Sequence, residues 1–310
     1  FLYNNEFSNT TCNAYLFAQD GAFIYSEGDT FSGDSKAAVA ALKGGKFLGR
    51  RCTFRELKGC GILTYDQGTV EIRGCTFEGL NANCIQAYNQ SMLRMIGCTF
   101  SDSASPMISL SKDATGYAGR CNFSRTNLVA LEINDIKDFT FKDCVIQDIK
   151  TVGSNIKTGS TPHFIGCSFE NNGKLGVEVN GSTPTFEMCT FIRNGENGVN
   201  VVAGATPKFK ACRFEQNNTS GISILCGQVT CVNCLVNSNA ALGLNILGKS
   251  QARFQSTVFS NNSLNIQISE APANVSFVGC RVINSERSGA LISNEAVASF
   301  EDCFFDKNSV

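Results

Sequence analysis

Fourteen copies of one short pattern run through the whole of this sequence, and they leave it a single kind of architecture. Phe164-Ile-Gly-Cys167-Ser-Phe169 recurs as Phe186…Cys189-Thr-Phe191, Phe209…Cys212-Arg-Phe214, Phe277…Cys280-Arg-Val282 and Phe300…Cys303-Phe-Phe305. The last position of the pattern falls at residues 7, 31, 54, 77, 100, 123, 146, 169, 191, 214, 236, 259, 282 and 305, so every interval is 22, 23 or 24 residues. Self-similarity of this kind over 310 residues marks a repeat protein, in which each unit packs on its neighbours. One repeat domain over residues 1–310 is expected, and a pair of globular domains is not.

The content of the repeat selects its type. Seven residues after the tracked position come Gly176-Val-Glu-Val179, Gly198-Val-Asn-Val201, Gly221-Ile-Ser-Ile224 and Gly243-Leu-Asn-Ile246. This is the period-two alternation of a strand. Three residues after the tracked position stand Asn172, Asn194, Asn217, Asn239, Asn262 and Asn308, read here as residues that tolerate the left-handed backbone of a sharp turn. Turns such as Asn180-Gly-Ser-Thr-Pro184 lead into the next copy. No stretch has helical spacing, and the Leu and Asn pattern of leucine-rich repeats is absent. Each repeat therefore reads as one coil of three short strands in a parallel β-helix.

Stacked coils turn inward positions into columns. Two residues before the tracked position lie Cys52, Cys75, Cys98, Cys121, Cys144, Cys167, Cys189, Cys212, Cys234, Cys280 and Cys303, with Asn5, Asp29 and Thr257 in the other coils. Eleven of the sixteen cysteines thus occupy one column. One thiol per coil is not a disulfide framework, and a line of thiols with a single histidine, His163, does not converge on a metal. Packing as small apolar side chains in a reducing compartment is the expectation, hence a cytoplasmic chain; secretion after signal removal is the alternative. Asn-x-Ser/Thr triplets, among them those at Asn9, Asn89, Asn180, Asn217, Asn218, Asn261 and Asn274, are what an Asn- and Ser-rich repeat produces by chance.

Composition removes other classes. With 26 basic against 27 acidic side chains there is no field for gripping nucleic acid, and no apolar run approaches the length of a membrane span. The first and last coils lack a capping helix or polar terminal repeat. The chain accordingly reads as an uncapped piece of a longer protein, or as one that stacks end to end with a second copy.

The run Asn180-Gly-Ser-Thr-Pro-Thr-Phe-Glu-Met-Cys-Thr-Phe-Ile-Arg-Asn-Gly-Glu-Asn-Gly-Val-Asn-Val resembles the right-handed parallel β-helix repeat of the pectate-lyase-like superfamily. Within it, the likeness is greatest to repeats of carbohydrate-binding and sugar-hydrolase domains and of certain F-box proteins. The resemblance implies an all-β, right-handed parallel β-helix of about 14 coils over essentially the whole chain. It says little about activity, since lyases, hydrolases, epimerases and adaptors share this fold.

The resemblance implies that function lies along the strand that carries ligands in that superfamily. Its outward row reads Leu16, Ala40, Leu63, Gln86, Ser109, Glu132, Asn155, Glu178, Asn200, Ser223, Asn245, Gln267 and Leu291. The most polar stretch gives the candidate binding residues Gln86, Tyr88, Ser109, Glu132, Asn134, Asp135, Asn155, Lys157, Glu178, Asn180 and Asn200. Glu132 and Glu178 stand two repeats apart, about 10 Å at strand spacing and near the carboxylate separation of inverting glycosidases. With Lys157 they form the candidate catalytic set if the chain is a polysaccharide lyase or glycoside hydrolase. The Asn-Thr-Asp, Asp-Asp, Gly-His-Gly and Arg-Ile-Lys motifs of polygalacturonase-like enzymes are missing, and coils this uniform provide few loops to wall a cleft. The preferred expectation is a recognition module or scaffold, without cofactor or metal, that binds a protein segment or an extended glycan. Ice or mineral binding by Thr53, Thr76, Thr99 and Thr190 is a third idea, weakened by Asn122, Val145 and Arg213 in the same row.

Overall fold

The computed structural model of the chain describes residues 1–8, 11–270 and 273–309; the Asn9 triplet and the final Val310 lie outside them. Two compact units, Phe1–Ser154 and Asn155–Val310, are each described by themselves. In both, the coils are three strands in three parallel sheets, except that the last coil has only Val297–Glu301 and Phe304–Asp306 among the described residues. The coil His163–Ile165, Ser168–Glu170, Val177–Asn180 is followed by Thr185–Glu187, Thr190–Ile192, Val199–Val202. Phe164 pairs with Phe186, Phe169 with Phe191 and Val177 with Val199, all parallel. This is the three-strand turn of a right-handed parallel β-helix, the hand that parallel crossovers take.

The core consists of columns, as the repeat requires. In the first unit the rings of Phe7, Phe31, Phe54, Phe77, Phe100 and Phe123 stack face to face, with centroids 4.4 to 4.9 Å apart. In the second unit Phe169, Phe191 and Phe214 continue the pattern, and Phe164, Phe186 and Phe209 form a parallel stack that meets it edge to face. Offset stacks and edge contacts are the arrangements that the ring quadrupole favours.

All sixteen cysteines are free, and the column members are buried apart from the half-buried Cys303. Cys189 and Cys212 donate at 3.4 Å to the carbonyls of Phe164 and Phe186. Burial pushes the Cys189 and Cys280 thiols up, and the Cys60 thiol up to about 12, because a thiolate there would lose its hydration. Where the column is polar it is satisfied locally: buried Asp29 accepts from the Asn5 backbone and amide at 2.6 and 2.9 Å and from Ser26 Oγ at 2.5 Å. The expected titration follows from these placements. Denatured without reductant, the chain yields sixteen thiols; native, the exposed Cys226 reacts first and the column lags. A lower denatured count would mean disulfides and would remove the case for a reducing compartment.

The reading of the turn needs correction. The left-handed residues are Asn171, Arg193, Gln216, Ser238 and Asn261, with φ of 54° to 55°, each one place before the asparagine expected to supply that conformation. The following asparagines are instead buried and linked side chain to side chain. Asn172, Asn194, Asn217 and Asn239 each donate from backbone N and from Nδ2 to the Oδ1 of the next member, at 2.8 to 3.2 Å. The bend falls on the preceding residue because the ladder side chain must point inward. Asn217 is buried in this ladder, so its Asn-x-Ser/Thr triplet is closed to modification in the fold.

The glycine column belongs to the same device. A methyl group on Gly198 would lie 2.9 Å from the Asn217 amide nitrogen and 2.7 Å from the Gly221 carbonyl oxygen. Glycine is required there because the ladder amide of the following coil fills the space a Cβ would take.

Candidate functional site

The third sheet in each unit carries the row on which function was expected. In the first unit the register runs Ala40, Leu63, Gln86, Ser109, Glu132. Its first member is Phe17, which pairs with Ala40, while Leu16 pairs with Val39; the sequence reading was one residue off because the opening coil is irregular. Gln86, Ser109 and Glu132 are half-buried neighbours at strand spacing. The next outward position holds Ser111 opposite Asn134 and, lower down, the rings of Tyr65 and Tyr88 stacked at 5.0 Å. Burial and the neighbouring Tyr65 push the Tyr88 phenol up, so it stays protonated and able to donate. Asp135 sits just beyond the strand at φ 53°, its carbonyl accepting from Asp113 N at 2.9 Å.

In the second unit Glu178 pairs with Asn200, and the row continues through Ser223, Asn245, Gln267 and Leu291. Asn180 lies two places on from Glu178, opposite Val202; its carbonyl accepts from Ser182 Oγ at 3.0 Å. Asn155 and Lys157, both half-buried, stand on Ser154–Lys157. Asn245 Oδ1 is buried and without a hydrogen-bond partner among the described residues. Glu132 belongs to the first unit and Glu178 to the second, so each is described only with its own neighbours. Each stands in a row otherwise made of amides, hydroxyls and apolar side chains. That arrangement can bind and orient hydroxyl or amide groups.

His163 is exposed, with Nδ1 2.6 Å from Thr185 Oγ1. Among the described residues no three His, Cys, Asp or Glu side chains are grouped as a metal needs, and no helix is long and apolar enough to cross a membrane. The threonine row is in register over Thr30, Thr53, Thr76 and Thr99 and then meets Asn122 and Val145.

Sequence reasoning missed two places. One is a hollow of about 290 Å³ on the third sheet of the first unit, floored by Ala40 and walled by Phe17, Leu63 and Tyr65. The other is a polar groove of about 340 Å³ beside the first sheet of the second unit, containing Lys208 and Arg253. The signal for the groove was available: Lys208 and Arg253 directly precede the inward Phe209 and Phe254.

The family model for the right-handed β-helix region matches residues 42–187 and 175–310. No curated protein matches the sequence. Among solved structures, the periplasmic alginate epimerase AlgG is similar at 10% identity with a TM-score of 0.60, over 93% of this chain and 78% of that one. The A-module of the Azotobacter vinelandii mannuronan C-5 epimerase AlgE6 is similar at 11% identity and a TM-score of 0.51, over 92% and 91%. A chain of the Vag8–C1 inhibitor complex is similar at 10% identity and 0.58, over 95% and 80%. At such identities the likeness is one of fold.

Proposed function

Since the chain belongs to the right-handed β-helix family, we propose that it is a recognition module without catalysis of its own, which holds an extended protein segment or glycan against the outer face of its third sheet. The observation that carries this reading is the unbroken register of Asn200, Ser223, Asn245 and Gln267. These neutral amide and hydroxyl side chains repeat at strand spacing, about 4.8 Å, half-buried at Asn200, Asn245 and Gln267 and buried at Ser223. Folds of this kind occur in an alginate epimerase and in a complex with C1 inhibitor, so both polymer classes are open as occupants. The free thiol column supports a working place in a reducing compartment.

Glycan and peptide arrays probed with the intact chain test the proposal. Asn200→Ala combined with Asn245→Ala removes two amides from this row and lowers affinity for the captured ligand by about tenfold. Glu132→Gln with Glu178→Gln keeps the hydrogen-bonding shape and leaves binding in place. Cleavage of the captured polymer by the native chain, lost in that glutamine pair, would overturn the proposal and make the protein an enzyme.

A further inference from the structure

The groove beside the first sheet of the second unit is distinct from the third-sheet rows. Its rim is one register line, Lys208, Thr230, Arg253, Ser276, and a second, Gln228, Gln251, Asn274, runs alongside. Among the described residues no carboxylate lines it. Several other basic side chains are neutralised by a neighbouring acid: Arg51 by Glu27, Arg125 by Asp102 at 2.7 Å, Arg193 by Glu170 at 3.0 Å, Lys210 by Glu187 at 2.7 Å. Lys208 and Arg253 are exposed and have no ion-pair partner among the described residues.

We propose that this groove binds an acidic peptide segment in the polyproline II conformation, with Asp or Glu at every third residue. The spacing carries the argument. Lys208 and Arg253 are two strands apart, about 10 Å. A polyproline II chain has three residues per turn and rises about 3.1 Å per residue, so acids three apart project on one side about 9 Å from each other. Its backbone has no internal hydrogen bonds, and Gln228, Gln251 and Asn274 supply amides that pair with its carbonyl groups. Arg253 takes a carboxylate by two parallel bonds, and Lys208 acts as a point charge. A nucleic acid strand would need a continuous line of cations, and a strand-addition mode would need an open sheet edge. This site stands independently of the third-sheet reading.

The test is fluorescence anisotropy with a labelled peptide of repeated Glu-Pro-Pro, against an isomer of the same composition with its glutamates contiguous, at low and high salt. The spaced peptide binds at least tenfold more tightly than the isomer, and salt weakens it. Lys208→Ala with Arg253→Ala lowers its affinity at least tenfold without changing the melting temperature, since both side chains are on the surface. Lys208→Arg retains binding, and Lys174→Ala, an exposed lysine elsewhere in the unit, has no effect. Equal binding of the two isomers, indifference to the double substitution, or displacement of the peptide by polygalacturonate at lower concentration would each overturn the proposal. The last would reassign the groove to an acidic glycan.

Discussion

Replacing Asn217 by alanine is expected to destabilise the second unit by about 2–4 kcal/mol. Asn217 Oδ1 is the acceptor for both Asn194 N and Asn194 Nδ2, at 3.1 and 2.9 Å. Its Nδ2 donates to the Phe191 carbonyl at 3.1 Å and to Asn239 Oδ1 at 2.9 Å. Alanine deletes all four bonds. The Asn194 amide N–H is then buried without an acceptor, which costs about 1–3 kcal/mol by itself, and the other groups each keep one partner and lose another. No water can easily replace the side chain, because Asn194, Asn217 and Asn239 are at most 1% exposed. Against a total stability of about 5–15 kcal/mol, the loss shows as a fall in melting temperature on the order of 10 °C. Urea unfolding of the variant beside the native chain measures it. A change under about 1 kcal/mol would mean that the ladder does not carry stability.

One coil shows that the ladder is a coupled device. In place of the usual glycine it has Asn265, and the following coil has Ser285 in place of the usual asparagine. Asn262 donates to Asn265 Oδ1 at 2.8 Å, and Asn265 Nδ2 reaches the Ile283 carbonyl at 3.0 Å and Asn308 Oδ1 at 3.3 Å. The amide has moved from one coil to its neighbour and enters the same space from the opposite side. Both exchanges are visible in the sequence, yet each alone looks like drift in the repeat. Only the close approach of Gly198, Gly221 and Gly243 to the next coil's asparagine explains why the two positions change together.

The columns were legible because a solenoid converts sequence period directly into spatial contact: Phe169, Phe191 and Phe214 stack because they are 22 and 23 residues apart. The turn chemistry was less so. Asparagine suits both a left-handed turn and a buried amide ladder, and only the backbone angles separate Asn171 from Asn172. The candidate site was legible as a list of residues and not as a surface. The row Gln86, Ser109, Glu132 follows from register, but it begins at Phe17 and not at Leu16, and the Lys208 and Arg253 groove lies on strands whose sequence signal is their inward Phe209 and Phe254. Outward positions on three sheets are equally available to a ligand, and nothing in the period says which sheet is used.

The largest loss is expected on truncating Phe191 to alanine, about 3–5 kcal/mol. The ring is fully buried, stacked on Phe169 at 5.2 Å and Phe214 at 4.9 Å, and met edge-on by Phe186 at 5.5 Å and Phe209 at 6.0 Å. Its removal opens a cavity inside a stack whose members are held by hydrogen-bonded strands on both sides, so the neighbours cannot collapse into it. Phe304→Ala, on a side chain 51% exposed, removes no buried contact of this kind and is the matched control at under about 1 kcal/mol. Because each coil contacts only its neighbours, the damage is local. Hydrogen exchange should show early loss of protection at Thr190–Ile192 and at the coils of Phe169 and Phe214, while the stack from Phe31 to Phe123 in the other unit keeps its rates. Uniform loss across both units would contradict nearest-neighbour coupling and would point to one cooperative fold in which a single ring supports distant coils.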